Sequence, residues 1–178
     1  FLTGNMSGAL LTQAVLEKRR EVGFLPENAA VVKTIVTTHM IEPIARDYGV
    51  GVVDVLTGFK YIGEQIHRFE ETDSHTFVFG FEESYGCLAG TYARDKDGIA
   101  AVLLLCRLAA AYKAEGRTLF DALDELYQKY GYYREGVVSV ACPGLSGGET
   151  IRRGMAALRA EAPKTLAGVP VEWVRDYK

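Results

Sequence analysis

The feature that most constrains this chain is a change of period. Residues 30–36 (AVVKTIV) are a short, β-branched and nearly continuous apolar run, the pattern of a strand buried on both faces. The segments around it repeat at three-to-four spacing instead, the pattern of helices. Residues 6–22 carry Met6, Leu10, Leu11, Ala14 and Val15 at that spacing, and the charged Glu17-Lys18-Arg19-Arg20 closes at Gly23. Residues 39–48 turn Ile41, Ile44, Ala45 and Tyr48 inward, and Gly49-Val50-Gly51 breaks that helix before a second strand at 52–56. A helix over 60–70 (Tyr61, Ile62, Ile66, Phe69) leads to a third strand at 76–79. Glycine-rich loops fill 80–91. A long helix over 97–115 is expected to use Ile99, Val102, Leu103, Cys106 and Ala110 as one face, and Gly116 ends it. Thr118 caps a last helix striped by Leu119, Leu123, Leu126 and Tyr130. Strands alternating with helices predict an α/β domain with a largely parallel sheet, whose ligand loops gather at the strand ends.

Beyond Gly131 the pattern starts afresh. Residues 132–142 alternate like one strand, Ser146-Gly147-Gly148-Glu149 has the spacing of a capping box, and a helix over 147–160 points Ile151, Met155 and Leu158 inward. A further strand is expected over 169–174. The expected organisation is thus a domain at 1–130 and a partial β-α-β unit of a second domain at 131–178, too small for a core of its own.

Composition removes several classes of function. A net charge of −3 gives no basic surface for nucleic acid. No apolar run approaches the length of about 18 residues that spans a bilayer. Cys87, Cys106 and Cys142 are too few and scattered for a disulfide framework and point to reduced thiols in a cytoplasmic setting. His39, His67 and His75 lack metal spacing. The chain opens Phe1-Leu2-Thr3-Gly4, without an initiator Met or a signal-peptide pattern, and reads as a piece of something longer.

Three segments carry chemistry. Gly80-Phe81-Glu82-Glu83-Ser84-Tyr85-Gly86 places two carboxylates and a hydroxyl between glycines, directly after a strand. A carboxylate accepts from two neighbouring hydroxyls, as sugar recognition requires, although the same composition suits a solvated acidic turn. Arg94-Asp95-Lys96-Asp97-Gly98 opens the long helix; an aspartate there caps it, while Arg94 and Lys96 are misplaced against the helix dipole unless an anion binds. Thr57-Gly58-Phe59-Lys60 again brings a lysine to a helix start, which equally fits an exposed lysine. Together they hold the inventory for a phosphorylated sugar. Among smaller features, Cys87 reads as a small filler, His39 as structural or solvated, Gly144–Gly148 as a capping segment, and Tyr127, Tyr130, Tyr132 and Tyr133 as packing.

With these residues in view, the chain resembles the α-D-phosphohexomutases, the phosphoglucomutase/phosphomannomutase family. GFEESYG is similar to the family's sugar loop G-E-x-S-x-G/H, TGFKYIG to its T-G-x-K/S segment and RDKDG to its R-x-K-D-G/A segment, in the family's order and at about its spacing. Phe81 departs from the pattern, standing where the family usually has glycine. The resemblance implies a three-layer α/β fold with a mostly parallel mixed sheet. It implies that 1–130 is the third, sugar-binding domain and 131–178 the incomplete start of the fourth, phosphate-binding domain. It implies substrate contacts from Glu82, Ser84, Lys96, Gly58, Lys60 and Arg94, with Glu83 in the variable place. It also implies a reaction interconverting hexose 1-phosphate and hexose 6-phosphate through a phosphoserine and a hexose bisphosphate. The serine loop and the carboxylate loop for Mg2+ lie outside this chain, so the partners are a sugar phosphate and the remaining domains of the same polypeptide, and the piece alone is expected to be inactive. The rival expectation is a free-standing carbohydrate- or anion-binding module.

Overall fold

A computed structural model describes residues 1–136 and 140–176. They fall into two compact units, Phe1–Glu135 and Gly136–Lys178. The first contains α1 (Gly4–Glu21), β1 (Ala29–Thr34), α2 (Ile41–Asp47), β2 (Gly51–Val55), α3 (Phe59–Thr72), β3 (Thr76–Phe81), β4 (Cys87–Leu88), α4 (Gly98–Ala114) and α5 (Leu119–Tyr130). The strand order is β2-β1-β3-β4, with β1 parallel to β2 and β3, and β4 antiparallel to β3. The expected α/β class with a mostly parallel, mixed sheet is found. The two-residue β4 lies inside what the sequence offers only as loop.

The sheet is covered on both faces. Val31, Phe79 and Phe81 pack with Leu10, Leu16, Ile44 and Leu123 beneath α1, α2, α4 and α5. Ala30, Val32 and Phe77 pack with Ile62, Ile66 and Phe69 beneath α3. All six positions of β1 are buried, which is why its sequence runs apolar instead of alternating. Helix starts are set locally. The Thr3 hydroxyl accepts from the Met6 amide at 3.2 Å, so α1 begins two residues before the apolar stripe. Thr118 and Asp121 form a reciprocal capping box at the start of α5.

Helix α4 corrects an expectation. Ile99, Val102 and Leu103 are 86%, 63% and 58% exposed, and Cys106 and Ala110 also face outward. The face that packs on the core is Ala101, Leu104, Leu105, Leu108 and Tyr112. The helix is apolar almost all round, so several three-to-four stripes can be drawn and periodicity does not choose between them.

The second unit has α6 (Gly147–Ala160), β5 (Thr165–Leu166) and β6 (Val169–Pro170). The strand expected over 132–142 is not found in its described flanks, and residues 137–139 lie outside the described residues. The strand expected over 169–174 is a two-residue arm of an antiparallel hairpin, so no β-α-β unit is formed among the described residues. The hairpin turns at Ala167 and Gly168, both at positive φ (48° and 81°), as a tight hairpin demands. Pro170 supplies no amide to carry the ladder on. The capping box is not made either: the Ser146 side chain makes no cap bond, and Glu149 pairs with Arg152 at 2.7 Å. Ile151, Met155 and Leu158 are 53%, 42% and 52% exposed, because one helix and one short hairpin give them no core to enter.

Among the described residues, no helix is long and apolar enough to cross a membrane.

Candidate functional site

The order β2-β1-β3 places a topological switch point between β1 and β3. In open α/β sheets ligands collect outside the carboxyl ends of the strands at such a point. The segment that leaves β3 there is the loop 82–86. Phe81 pairs with Cys87 and Gly80 with Leu88, so β4 folds the loop back on itself. The Glu82 amide donates to the Gly86 carbonyl at 2.8 Å and closes it. Tyr85 sits at φ 70°, a conformation that costs a non-glycine residue energy, and is held there by its hydroxyl on the Leu2 carbonyl (3.1 Å). Glu82 is buried and accepts a long hydrogen bond from the exposed Ser84 hydroxyl (3.4 Å).

Gly86 is where the segments meet. A Cβ on it would stand 2.7 Å from Lys96 Cδ, 2.8 Å from Glu82 Oε2 and 3.4 Å from the Phe59 ring. Glu82, Lys96 and the start of α3 therefore converge on one point that a side chain would fill. Lys96 Nζ lies 5.6 Å from the centre of the Phe59 ring and 3.3 Å from the exposed Asp95 carboxylate. Gly58 precedes α3 at φ 124°, a backbone shape suited to glycine, and offers no side chain to cap the helix. Lys60 is exposed, with its ammonium 4.8 Å from the Tyr61 ring centre. Beside Glu82 a cavity of about 300 Å³ opens between the first turns of α1 (Gly4, Ser7, Gly8) and α4 (Gly98, Ala101, Val102).

Arg94 is placed differently. Its guanidinium grips Glu70 of α3 with both oxygens at 2.7 and 2.6 Å and donates to the Thr91 carbonyl at 2.7 Å. It clamps the 91–97 loop to α3, where Gly63 leaves room for the Arg94 carbonyl: a Cβ there would be 2.3 Å from it. Nor does the start of α4 call for an anion. Asp97 accepts from the Ile99 and Ala100 amides, both at 3.0 Å, and from the Tyr92 hydroxyl at 3.0 Å. The Ala100 amide, followed by Tyr92, holds the Asp97 carboxyl below the usual carboxylate range. The apparent misplacement of Arg94 is answered inside the protein by Glu70, while Lys96 meets its exposed neighbour Asp95 and remains half-exposed.

A second polar group lies behind the loop and was not found by motif. Lys33, fully buried in β1, stands 2.8 Å from Asp54 of β2 and 3.5 Å from Glu42 of α2. Glu42 also meets the partly exposed His39 at 2.9 Å. Thr34 reaches Glu83 at 3.2 Å. The available signal was a lysine and an aspartate interrupting two apolar runs, VVKT and VVDV, at positions that pair in register. Cys87 is buried beside the loop, and burial pushes its thiol up to about 11, as suits a filler. No group of three or more His, Cys, Asp or Glu among the described residues is placed to hold a metal ion, so the residues present do not fit one.

A switch-point loop presenting a buried carboxylate, approached by the Lys96 side chain of the 91–97 loop, on a three-layer α/β/α sheet, defines the class. The family model for the α/β/α domain III of phosphoglucomutase/phosphomannomutase matches residues 3–130. The chain belongs to the phosphoglucomutase/phosphomannomutase family. It is 36% identical over 178 residues to a phosphoglucomutase of Staphylococcus haemolyticus strain JCSC1435, covering 100% of this chain and 31% of the relative. It is 32% identical over 177 residues to the phosphoglucomutase of Staphylococcus aureus strain RF122, again 31% of the relative. This chain thus spans about a third of the length of the curated relatives it matches. Among solved structures, a Thermus thermophilus protein described as a phosphomannomutase superimposes with a TM-score of 0.52 at 27% identity, over 70% of this chain and 25% of that one. Paramecium pp63/parafusin superimposes with a TM-score of 0.55 at 20% identity, over 74% and 22%, a likeness of fold.

Proposed function

We propose that the chain is the sugar-recognition part of a phosphohexomutase, an intramolecular phosphotransferase that interconverts hexose 1-phosphate and hexose 6-phosphate. The observation that carries this reading is the approach of Glu82 Oε2 and Lys96 to one point over Gly86, in a chain of this family. In the proposal the Glu82 carboxylate and the Ser84 hydroxyl take sugar hydroxyls. Lys96 and Lys60 take the phosphate, with the uncapped start of α3 at Gly58 adding its amide dipoles. Arg94 acts on the substrate only through the loop it clamps. Residues 1–130 then act as the third domain of such an enzyme and 131–178 as the opening of the fourth.

The phosphoserine and the Mg2+ ligands belong, on this reading, to residues outside this chain, and the hexose bisphosphate is an activator of the whole enzyme. Magnesium would supply charge neutralisation at the transferring phosphate. This chain's own residues bind and orient the sugar. A sugar-phosphate substrate and reduced thiols fit a cytoplasmic setting. The test compares the polypeptide as naturally made with its Glu82→Ala variant on glucose, mannose, pentose and N-acetylglucosamine phosphates. Loss of a hydrogen bond to a charged group, about 1.5–3 kcal/mol, lowers kcat/KM by about tenfold or more. Wild-type kinetics in the variant refute the assignment. The 178-residue chain alone gives no turnover of glucose 6-phosphate; any turnover by it refutes that part.

A further inference from the structure

We propose that Lys33 and Thr34 are positioning residues for the sugar loop, holding Glu83 on the rear side so that Glu82 and Ser84 are left to the ligand; this rests on the reading of Glu82 and Ser84 given above. A lysine that is 0% exposed one residue before the end of a parallel strand is costly, and replacing it together with its acidic partners by apolar residues would serve stability at least as well. What Lys33 does beyond stability is fix a turn. Its Nζ, held between Asp54 (2.8 Å) and Glu42 (3.5 Å), donates to the Thr37 carbonyl at 3.4 Å. The Thr37 amide donates to the Thr34 carbonyl at 3.0 Å. That turn brings the two threonine hydroxyls to 2.6 Å, and Thr34 reaches the Glu83 carboxylate at 3.2 Å.

The direction of this chain follows from counting protons. A carboxylate only accepts, so Thr34 donates its single hydroxyl proton to Glu83 and receives one from Thr37. Thr34, Thr37 and Lys33 are all buried. The relay crosses the switch point from the end of β1 to the loop after β3, between strands that pair side by side. On the other flank the Glu83 carbonyl occupies the space that a Cβ on Gly4 would need, 1.7 Å away. Glu83, in the variable place of the motif, is thereby assigned as an anchor and not as a sugar ligand.

The experiment uses the polypeptide as naturally made, with glucose 1-phosphate as the probe. Thr34→Val keeps the shape and removes the hydroxyl; it raises KM about tenfold with a smaller change in kcat, and amide exchange in residues 82–86 accelerates. Thr34→Ser restores both to within about twofold of wild type. Lys33→Met moves both in the direction of Thr34→Val, and Thr34→Val keeps the question answerable if Lys33→Met does not fold. A purely structural role would lower the unfolding midpoint of Thr34→Val and leave KM and loop exchange unchanged, which overturns the proposal. Glu82→Ala is run alongside. If it is impaired while Thr34→Val is not, the positioning role alone fails. If Glu82→Ala is also silent, the sugar-loop reading fails and takes this proposal with it.

Discussion

Gly86→Ala is the sharpest single perturbation of the site, because it alters no chemical group. The added Cβ would lie 2.7 Å from Lys96 Cδ and 2.8 Å from Glu82 Oε2, distances real Cβ atoms do not show. Gly86 does not sit at positive φ, so the substitution strains no backbone. The two neighbours differ in what they can do. Lys96 is half-exposed and swings away at little cost, whereas Glu82 is 6% exposed and moves only by breaking its packing. Overpacking a buried site costs about 1–3 kcal/mol, and the mobile lysine puts this case near the lower end. The functional cost is larger. A displaced Glu82 forfeits a charge-assisted hydrogen bond worth about 1.5–3 kcal/mol, or about ten- to a hundredfold in kcat/KM. The assay is steady-state kinetics of the naturally made polypeptide beside urea unfolding followed by circular dichroism. A variant that loses about 2–3 kcal/mol of stability yet keeps kcat/KM within about twofold would refute the reasoning.

Three further outcomes are expected. Lys33→Ala leaves Asp54 and Glu42 without their shared cation and lowers unfolding free energy by about 3–5 kcal/mol, read from urea titration; a loss under about 1 kcal/mol contradicts the burial argument. Iodoacetamide at pH 8 labels the exposed Cys106 and leaves Cys87 unmodified; because burial raises the Cys87 thiol from 9.0 to about 11, its contribution to stability is full below pH 9 and fades between there and 11. The hydrogen bond from Lys129, then that from Tyr130, holds the Asp47 carboxyl below its ordinary value. Its contribution is therefore present above that value, and the gap in urea midpoint between wild type and Asp47→Asn, open at pH 6, closes as pH falls below about 4.

The sequence carried the strand-helix alternation, and with it the parallel sheet, because β1 must be apolar on both faces and the helices on only one. It carried the positions of the three loops because their glycines and charged residues do not suit a core. What it did not carry has physical causes. The facing of α4 was hidden by a helix apolar on every side. The fate of Arg94 was hidden because Glu70, its partner, lies on another helix and no spacing links them. The anchoring of Glu83 was hidden because Thr34 is an ordinary strand residue until the sheet order sets β1 beside β3. In the second unit, the helix 147–160 was legible and the strand after it was not, since Ala167 adopts a left-handed conformation that its residue type does not advertise.

The first two turns of α1 have a consequence for how firmly the loop is held. Gly4 abuts the Glu83 carbonyl, and Gly8 abuts the Phe81 ring so closely that a methyl would fall 1.9 Å from it. Phe81 is itself 1% exposed, so it has nowhere to retreat. An eighteen-residue helix is thereby seated directly against the end of β3 and the loop 82–86. To shift, the loop would have to carry that helix and its buried Leu10 and Leu16 along. The entropy of ordering this surface is lost when the chain folds, and little of it remains to oppose binding.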